Sequence, residues 1–381
     1  MRAATAPPTA GRTAMSTKPD RTRVLLLTGG PLDGADGAAV GLASDVLAAL
    51  PDVEFTWFSR WPHRRGRRPP DARGGHPVRI LSRDGTPRVP ERTQAVLSGA
   101  VHARRCDLVH AFLTIGRTFP AFSRLRPLLL GGRPVVHTVP GRPDPRLPAR
   151  ARPLGTTVVL SESMARRLRA ARFGDVRVIP PMIPLEHWPS RPRPRGLPLV
   201  LYAGHHAPQG GAETAIDAAA EAAAAGSRFR LVLAMRGLPG QDQHGSKEAL
   251  RERAVAQGLE DVEVRGYVDD MRALITSAHV LLFPPPTIGG VADIPLPVLQ
   301  ALATGRPVIL SDLPQFADFG NAVLRAPAGD ARRTGQQLAW LLDRLRSWDV
   351  LAERGRAAVE ERFGPERFAA QYAALYRELL S

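Results

Sequence analysis

The chain has one cysteine, two lysines and few aromatics, and each shortage excludes something. With Cys106 alone there is no intrachain disulfide and no cysteine-rich metal centre. Aromatics make up 6% of the 381 residues and do not interleave with the arginines, so no nucleic-acid-binding surface is expected. No apolar run approaches the roughly 18 residues of a membrane span. The first twenty residues lack the apolar centre of a secretory signal; residues 1–21 read as a disordered leader, with Met15 as an alternative start. A cytoplasmic protein is expected, and 44% hydrophobic content suits two globular domains.

What is abundant is arginine, and its distribution is uneven. Residues 1–200 hold 33 Lys+Arg against 14 Asp+Glu, whereas the remainder holds 19 against 22. Two readings stay open. One is a GC-rich genome choosing arginine codons for a solvated surface; the other is an N-terminal half that meets an acidic acceptor or an anionic membrane surface.

Short apolar strands alternate with helical patterns, which implies α/β domains with parallel, doubly wound sheets. The first set is Arg23–Gly30, Val53–Ser59, Cys106–Phe112, Pro134–Val139, Thr156–Ser161 and Val176–Pro181, with a helix at Ala38–Leu50. A basic Pro/Gly-rich loop, Arg60–Gly75, interrupts it, and Glu186–Pro198 reads as a linker. The second set is Leu199–Gly204, Phe229–Met235, Val262–Val268, His279–Pro285 and Pro307–Leu310. The expected domains are 22–185 and 199–360, joined by a linker at 186–198. A C-terminal helix at 361–381 is expected to cross back to the first. Within it Phe368, Tyr372 and Tyr376 repeat every four residues, as a packing face does.

The most informative stretch is Asp293–Ile309, DIPLPVLQALATGRPVI. Pro295 and Pro297 fit a first helical turn, where a missing N–H costs little, and Gly305 ends the helix before the next strand. In an open parallel sheet the N-terminus of such a helix faces the crevice beyond the strand ends, where anions bind. This segment resembles the donor-binding segment of family-4 retaining glycosyltransferases. So do the DLVHAF, PVVHTVPG, VVLSESMARRL and VRVIPPMIP segments, in that order, and VEVRGYVDDMRALITSAHVLLFP before the donor loop.

The resemblance implies a GT-B fold, two Rossmann-like domains facing a central cleft. It implies a nucleotide-sugar donor held by the C-terminal domain, an acceptor held by the N-terminal one, and no required metal or other cofactor. On this resemblance His137 and Asp293 are the expected catalytic residues. Gly37, Gly204, His205, Gln209, Gly210, Gly237, Tyr267, Val268, Pro295, Leu296 and Gln300 are expected at the donor. His110, Arg64 and Arg67 are expected at the acceptor. For Asp293 the alternative role is an N-cap; for His137 and His110 it is a satisfied core histidine. Four positions depart from the family pattern. His205 and Gln209 stand where a diphosphate-binding arginine and lysine are usual, and Ala292 and Gln300 stand where two acidic residues are usual. His205 and His206 end a strand, and a protonated imidazole there supplies charge in place of the arginine.

The expected activity is sugar transfer with retention from a nucleoside-diphosphate sugar to a small-molecule, natural-product-like acceptor. Two alternatives stand beside it. A membrane-associated transferase would act on a lipid or envelope polysaccharide, with peripheral contact through the arginines at 64–68 and through Phe119–Leu130. A catalytically silent partner or sugar-binding protein is the other.

Overall fold

Two series of apolar strand sequences build two parallel sheets. The computed structural model describes residues 21–29, 31–32, 38–61, 75–81, 89–143, 148–205, 208–236, 243–287 and 293–381. In the first half the elements are β1 (Arg23–Thr28), α1 (Ala38–Ala49), β2 (Glu54–Trp61), β3 (Gly75–Leu81), α2 (Val89–Ala103), β4 (Leu108–Phe112), α3 (Phe119–Leu130), β5 (Val135–Thr138), β6 (Thr156–Val159), α4 (Glu162–Ala170) and β7 (Val176–Val178). They form one seven-stranded sheet of order β3-β2-β1-β4-β5-β6-β7, every pairing parallel. β4 and β5 are buried along their whole length, as strands covered on both faces are.

The second half restarts with β8 (Leu199–His205), α5 (Ala212–Ala224), β9 (Arg230–Arg236), α6 (Gln243–Ala256), β10 (Val262–Arg265), α7 (Met271–Ser277), β11 (Val280–Phe283), α8 (Leu296–Ala303), β12 (Val308–Ser311) and β13 (Leu324–Ala326). Its six strands run in the order β10-β9-β8-β11-β12-β13, again all parallel. Helices α9 (Ala331–Leu342), α10 (Leu345–Arg362) and α11 (Pro365–Leu380) finish the chain. The strand and helix β3 and α2 occupy a stretch for which the sequence gave no expected element.

Residues 186–198 contain no helix or strand and are strapped to the second half. Arg306, almost fully buried, donates from both terminal nitrogens to Pro192 O at 3.0 Å. Arg356 reaches Trp188 O at 2.8 Å and Ala303 O at 2.6 Å. The chain passes between the halves twice, and the passages are tied together where Ile183 N–H donates to Phe363 O at 2.9 Å.

Helix α11 returns to the first half and packs against α1. Its buried face is Phe368, Tyr372, Leu375 and Tyr376. Tyr376 and Tyr372 carry hydroxyls into the first sheet, reaching His110 Nδ1 at 2.6 Å and Thr138 Oγ1 at 3.1 Å. A buried phenol needs such a partner.

Candidate functional site

The chain leaves β8 to one side, through α5 to β9, and reaches β11 on the other. Loops from neighbouring strands therefore diverge at their carboxyl ends and open a crevice there. After β8 come a 3-10 turn, Pro208–Gly210, and Gly211, which precedes α5 with φ 97°. A Cβ on Gly211 would sit 2.6 Å from Pro284 O and 2.8 Å from Pro285 N, so the loops after β8 and β11 touch at a place only glycine fits.

Beyond β11, Asp293 is buried just ahead of α8. The residue at the N-cap is Pro295, so the alternative role weighed for Asp293, as the N-cap, does not apply. Its Oδ1 accepts from Arg142 Nη2 at 2.9 Å, from a loop beyond β5 in the other half; the two side chains are 3% and 12% exposed. Burial pushes the Asp293 carboxyl above its ordinary range, against the opposing pulls of the Ser161 hydroxyl and Arg142. Burial also lowers the Arg142 pKa; Asp293 opposes this, and Arg167 adds to it. Asp293 Oδ2 and Arg142 Nε are buried and have no hydrogen-bond partner.

A second carboxylate crosses the same divide. Asp318 accepts from the Glu162 N–H at 3.2 Å, at the first turn of α4, and pairs with Arg362 at 3.7 Å. The positive end of α4 thus faces carboxylates from the opposite half.

Some of the other polar atoms without partners belong to the second sheet and the segments leaving it: the Tyr202 hydroxyl, His205 Nδ1, Ser311 Oγ and both amide atoms of Gln315. Ser311 ends β12, and Gln315 follows it, fully buried. Gly204 and Gly210 make room for the Tyr202 hydroxyl; a Cβ on Gly210 would lie 3.1 Å from it and 2.8 Å from His205 O.

Of the expected donor residues, Gly204, His205, Gln209 and Gly210 surround the end of β8, while Pro295, Leu296 and Gln300, with the expected catalytic Asp293, follow its neighbour β11. The structure brings these two groups to one edge. Tyr267, 78% exposed, and half-buried Val268 follow β10, two strands away from β8. Gly37, Arg64, Arg67, His206, Gly237 and Ala292 lie outside the described residues.

The two expected cleft histidines are instead core residues. His137 is fully buried, stacks on Phe119 at 4.9 Å and meets Leu113 O through Nε2 at 2.8 Å. A carbonyl only accepts, so Nε2 carries the proton and Nδ1 is the bare lone pair. Burial lowers the ring's pKa to about 4, which keeps it neutral. His110 is fully buried as well, held by Tyr376 and by Thr138 Oγ1 at 2.7 Å, and burial drives its pKa far down. His110 takes the alternative role weighed for it, a satisfied core group, whereas His137 is a core group whose Nδ1 has no partner. Arg142, Tyr202, Ser311 and Gln315 were missed; the one usable signal was that Arg142 follows the end of a strand, β5.

Solved structures match this arrangement of two sheets over nearly the whole chain. HepE of Anabaena in complex with UDP superposes with a TM-score of 0.74 at 14% identity, over 94% of this chain and 100% of that one. Sucrose-phosphate synthase from Thermosynechococcus elongatus gives 0.72 at 19% identity, over 94% and 99%. A glycosyltransferase from Rickettsia africae gives 0.73 at 13% identity, over 96% and 100%. The fold is GT-B. Residues 197–344, the part of this GT-B chain that carries the crevice, match the family described as Glycosyl transferases group 1. No curated protein matches the GT-B chain in sequence. No described helix is long and apolar enough to cross a membrane.

Proposed function

We propose that the protein is a glycosyltransferase that takes its sugar from a nucleoside-diphosphate donor bound at the crevice between β8 and β11. The observation that carries this reading is the set of buried polar atoms without partners at that crevice, beside a glycine that lets two loops close on each other. Native proteins rarely leave such groups without a partner, so each is open to one supplied by a ligand or by water. The family match over residues 197–344 supports the same reading, as do the UDP and UDP-glucose complexes of HepE. Asp293 Oδ2 is the group suited to hold a sugar hydroxyl. Retention of configuration, independence of metal and a small-molecule acceptor complete the proposal.

Thermal stabilisation of the full chain by UDP, GDP, ADP and dTDP in turn tests it. A ligand at 100 times its dissociation constant stabilises by about 2.7 kcal/mol, and a response to one nucleotide identifies the donor class. No response to any of the four would sink the donor reading and leave a silent GT-B protein.

A second reading concerns where the protein works. α2 and α3 pack side by side and expose Leu97 (61%), Val101 (50%), Leu125 (51%) and Leu128 (70%). Between Leu97 and Arg133 the sequence has six arginines and one acid, Asp107, which Arg23 already engages. Apolar side chains rimmed by arginine suit the surface of an anionic bilayer. Co-sedimentation with phosphatidylglycerol vesicles but not with phosphatidylcholine vesicles, reversed by salt, is the expected result; equal recovery with both would remove this reading.

A further inference from the structure

A nucleoside diphosphate brings at least two negative charges into the crevice. Yet neither the loop after β8 (204–211) nor the approach to α8 after β11 (284–295) contains a lysine or an arginine. The ionisable side chains that these segments do contribute are a carboxylate, Asp293, and two histidines, His205 and His206. A cation reaches this place from the opposite half. Resting on the donor reading above, we propose that Arg142 is the phosphate-binding residue of the donor site, supplied across the cleft by the N-terminal half.

The geometry fits a ligand role better than a plain bridge. Arg142 meets Asp293 through Nη2 alone, at 2.9 Å. Its Nε is buried and donates to nothing, although a guanidinium placed only to join two halves would be expected to direct its fork at its partner. Asp293 Oδ2 also lacks a hydrogen-bond partner, although the Ser161 hydroxyl is near enough to favour the charged carboxylate. Each partner thus keeps one polar atom in reserve at a buried contact. Arginine offers the planar fork that suits two phosphate oxygens, so it can hold Asp293 by one nitrogen and a diphosphate by others.

The balance of charge points the same way. Arg142 lies within the field of Arg167, on α4, while Asp293 supplies a single negative charge to the pair. The other nearby carboxylates are already engaged: Asp318 by Arg362 and the α4 N-terminus, and Glu162 by Arg169 at 2.8 Å. Asp293 then competes with the phosphate for Arg142, and a donor diphosphate would tie the two halves together by sharing that arginine.

Calorimetric titration of the full chain with UDP, GDP, ADP and dTDP, and with the matching monophosphates, tests this in wild type, Arg142→Gln, Arg142→Lys and Asp293→Asn. The expected wild-type result is tighter binding of one diphosphate than of its monophosphate. Arg142→Gln should weaken the diphosphate at least tenfold and the monophosphate less than twofold; Arg142→Lys should keep part of the preference. Asp293→Asn should leave diphosphate affinity unchanged or raise it, because the arginine is released to the phosphate. A mere bridge predicts that removing either partner has the same effect. Equal losses in Arg142→Gln and Asp293→Asn, or an unchanged diphosphate-to-monophosphate ratio in the arginine variants, would overturn the proposal and leave the donor reading standing. If Arg142→Gln does not fold, the lysine and Asp293 variants decide alone. A wild-type chain that binds none of the four diphosphates overturns the donor reading itself, and this proposal with it.

Discussion

The carboxyl edges of the two sheets contain similar kinds of residue and treat them oppositely. At the first edge His110 is engaged at both ring nitrogens and Thr138 by a tyrosine, while His137 donates its one proton to a carbonyl and leaves Nδ1 without a partner. Two of those partners are tyrosines of α11, brought from the far end of the chain. At the second edge Tyr202, His205, Asp293, Ser311 and Gln315 are just as enclosed locally but keep atoms without partners. Burial therefore does not separate the two edges; the number of polar atoms left without partners, greater at the second, does. Trp57 Nε1, an unpartnered atom in the first half, has no explanation in the structure.

The largest expected effect breaks the contact that shapes the second edge. Gly211→Ala would place a Cβ 2.6 Å from Pro284 O at a φ of 97°, so both backbone strain and overlap oppose it. A loss of about 3 kcal/mol, with the nucleotide response abolished, is expected from urea denaturation and thermal shift. Gly226→Ala is the control: its φ is 94° but nothing lies within 4 Å of the added carbon, so only about 1 kcal/mol should be lost. Equal costs would mean that the close approach of the two loops is unimportant.

The first edge should reveal itself through pH. His137 has a pKa of about 4 in the folded chain and 6.5 when unfolded, so the unfolded chain takes up its proton first as pH falls. Wild type should hold its full advantage over His137→Gln above pH 6.5 and lose about 3 kcal/mol of it as pH falls toward 4. Asp45, raised by burial to about 6, works in the opposite direction. Its contribution is complete below pH 3.8 and is lost as pH rises through 6, but it is common to both proteins and cancels in the difference. A pH-independent difference would show that His137 is not held neutral.

The fold was largely legible because fully buried parallel strands read as unbroken apolar runs, as Leu108–Phe112 and Val280–Phe283 do. Helix α8 was legible from its ends, since Pro295 precedes it and Gly305, with φ 73°, follows it. The edge strand β3 was not, because Gly75–Leu81 carries a proline and an arginine among its apolar residues and pairs on one side only. The crevice was legible at the level of loops. Its chemistry was less so. Arg142 meets a partner 151 residues away, and no local pattern announces such a meeting. His137 failed in the converse way: a strand-end histidine looks the same in sequence whether it faces a ligand or the Leu113 carbonyl.

The smallest expected effects are the sharpest form of the comparison, because they should differ in sign. Tyr376→Phe deletes the hydroxyl that engages His110 and leaves a buried ring nitrogen without a partner, which should cost about 1 kcal/mol of stability. Nucleotide affinity should not change, since that hydroxyl belongs to the closed edge. Ser311→Ala deletes a buried hydroxyl that has no partner to lose. Removing an unsatisfied polar group relieves a desolvation cost, so stability should hold or rise by up to about 1 kcal/mol. Paired urea denaturation of the two variants measures both signs in one experiment. A loss of similar size in each would mean that Ser311 is as well satisfied as Tyr376, and that satisfaction does not distinguish the two edges. Opposite signs would locate the reserve of hydrogen-bonding capacity on the second sheet, where a ligand can use it.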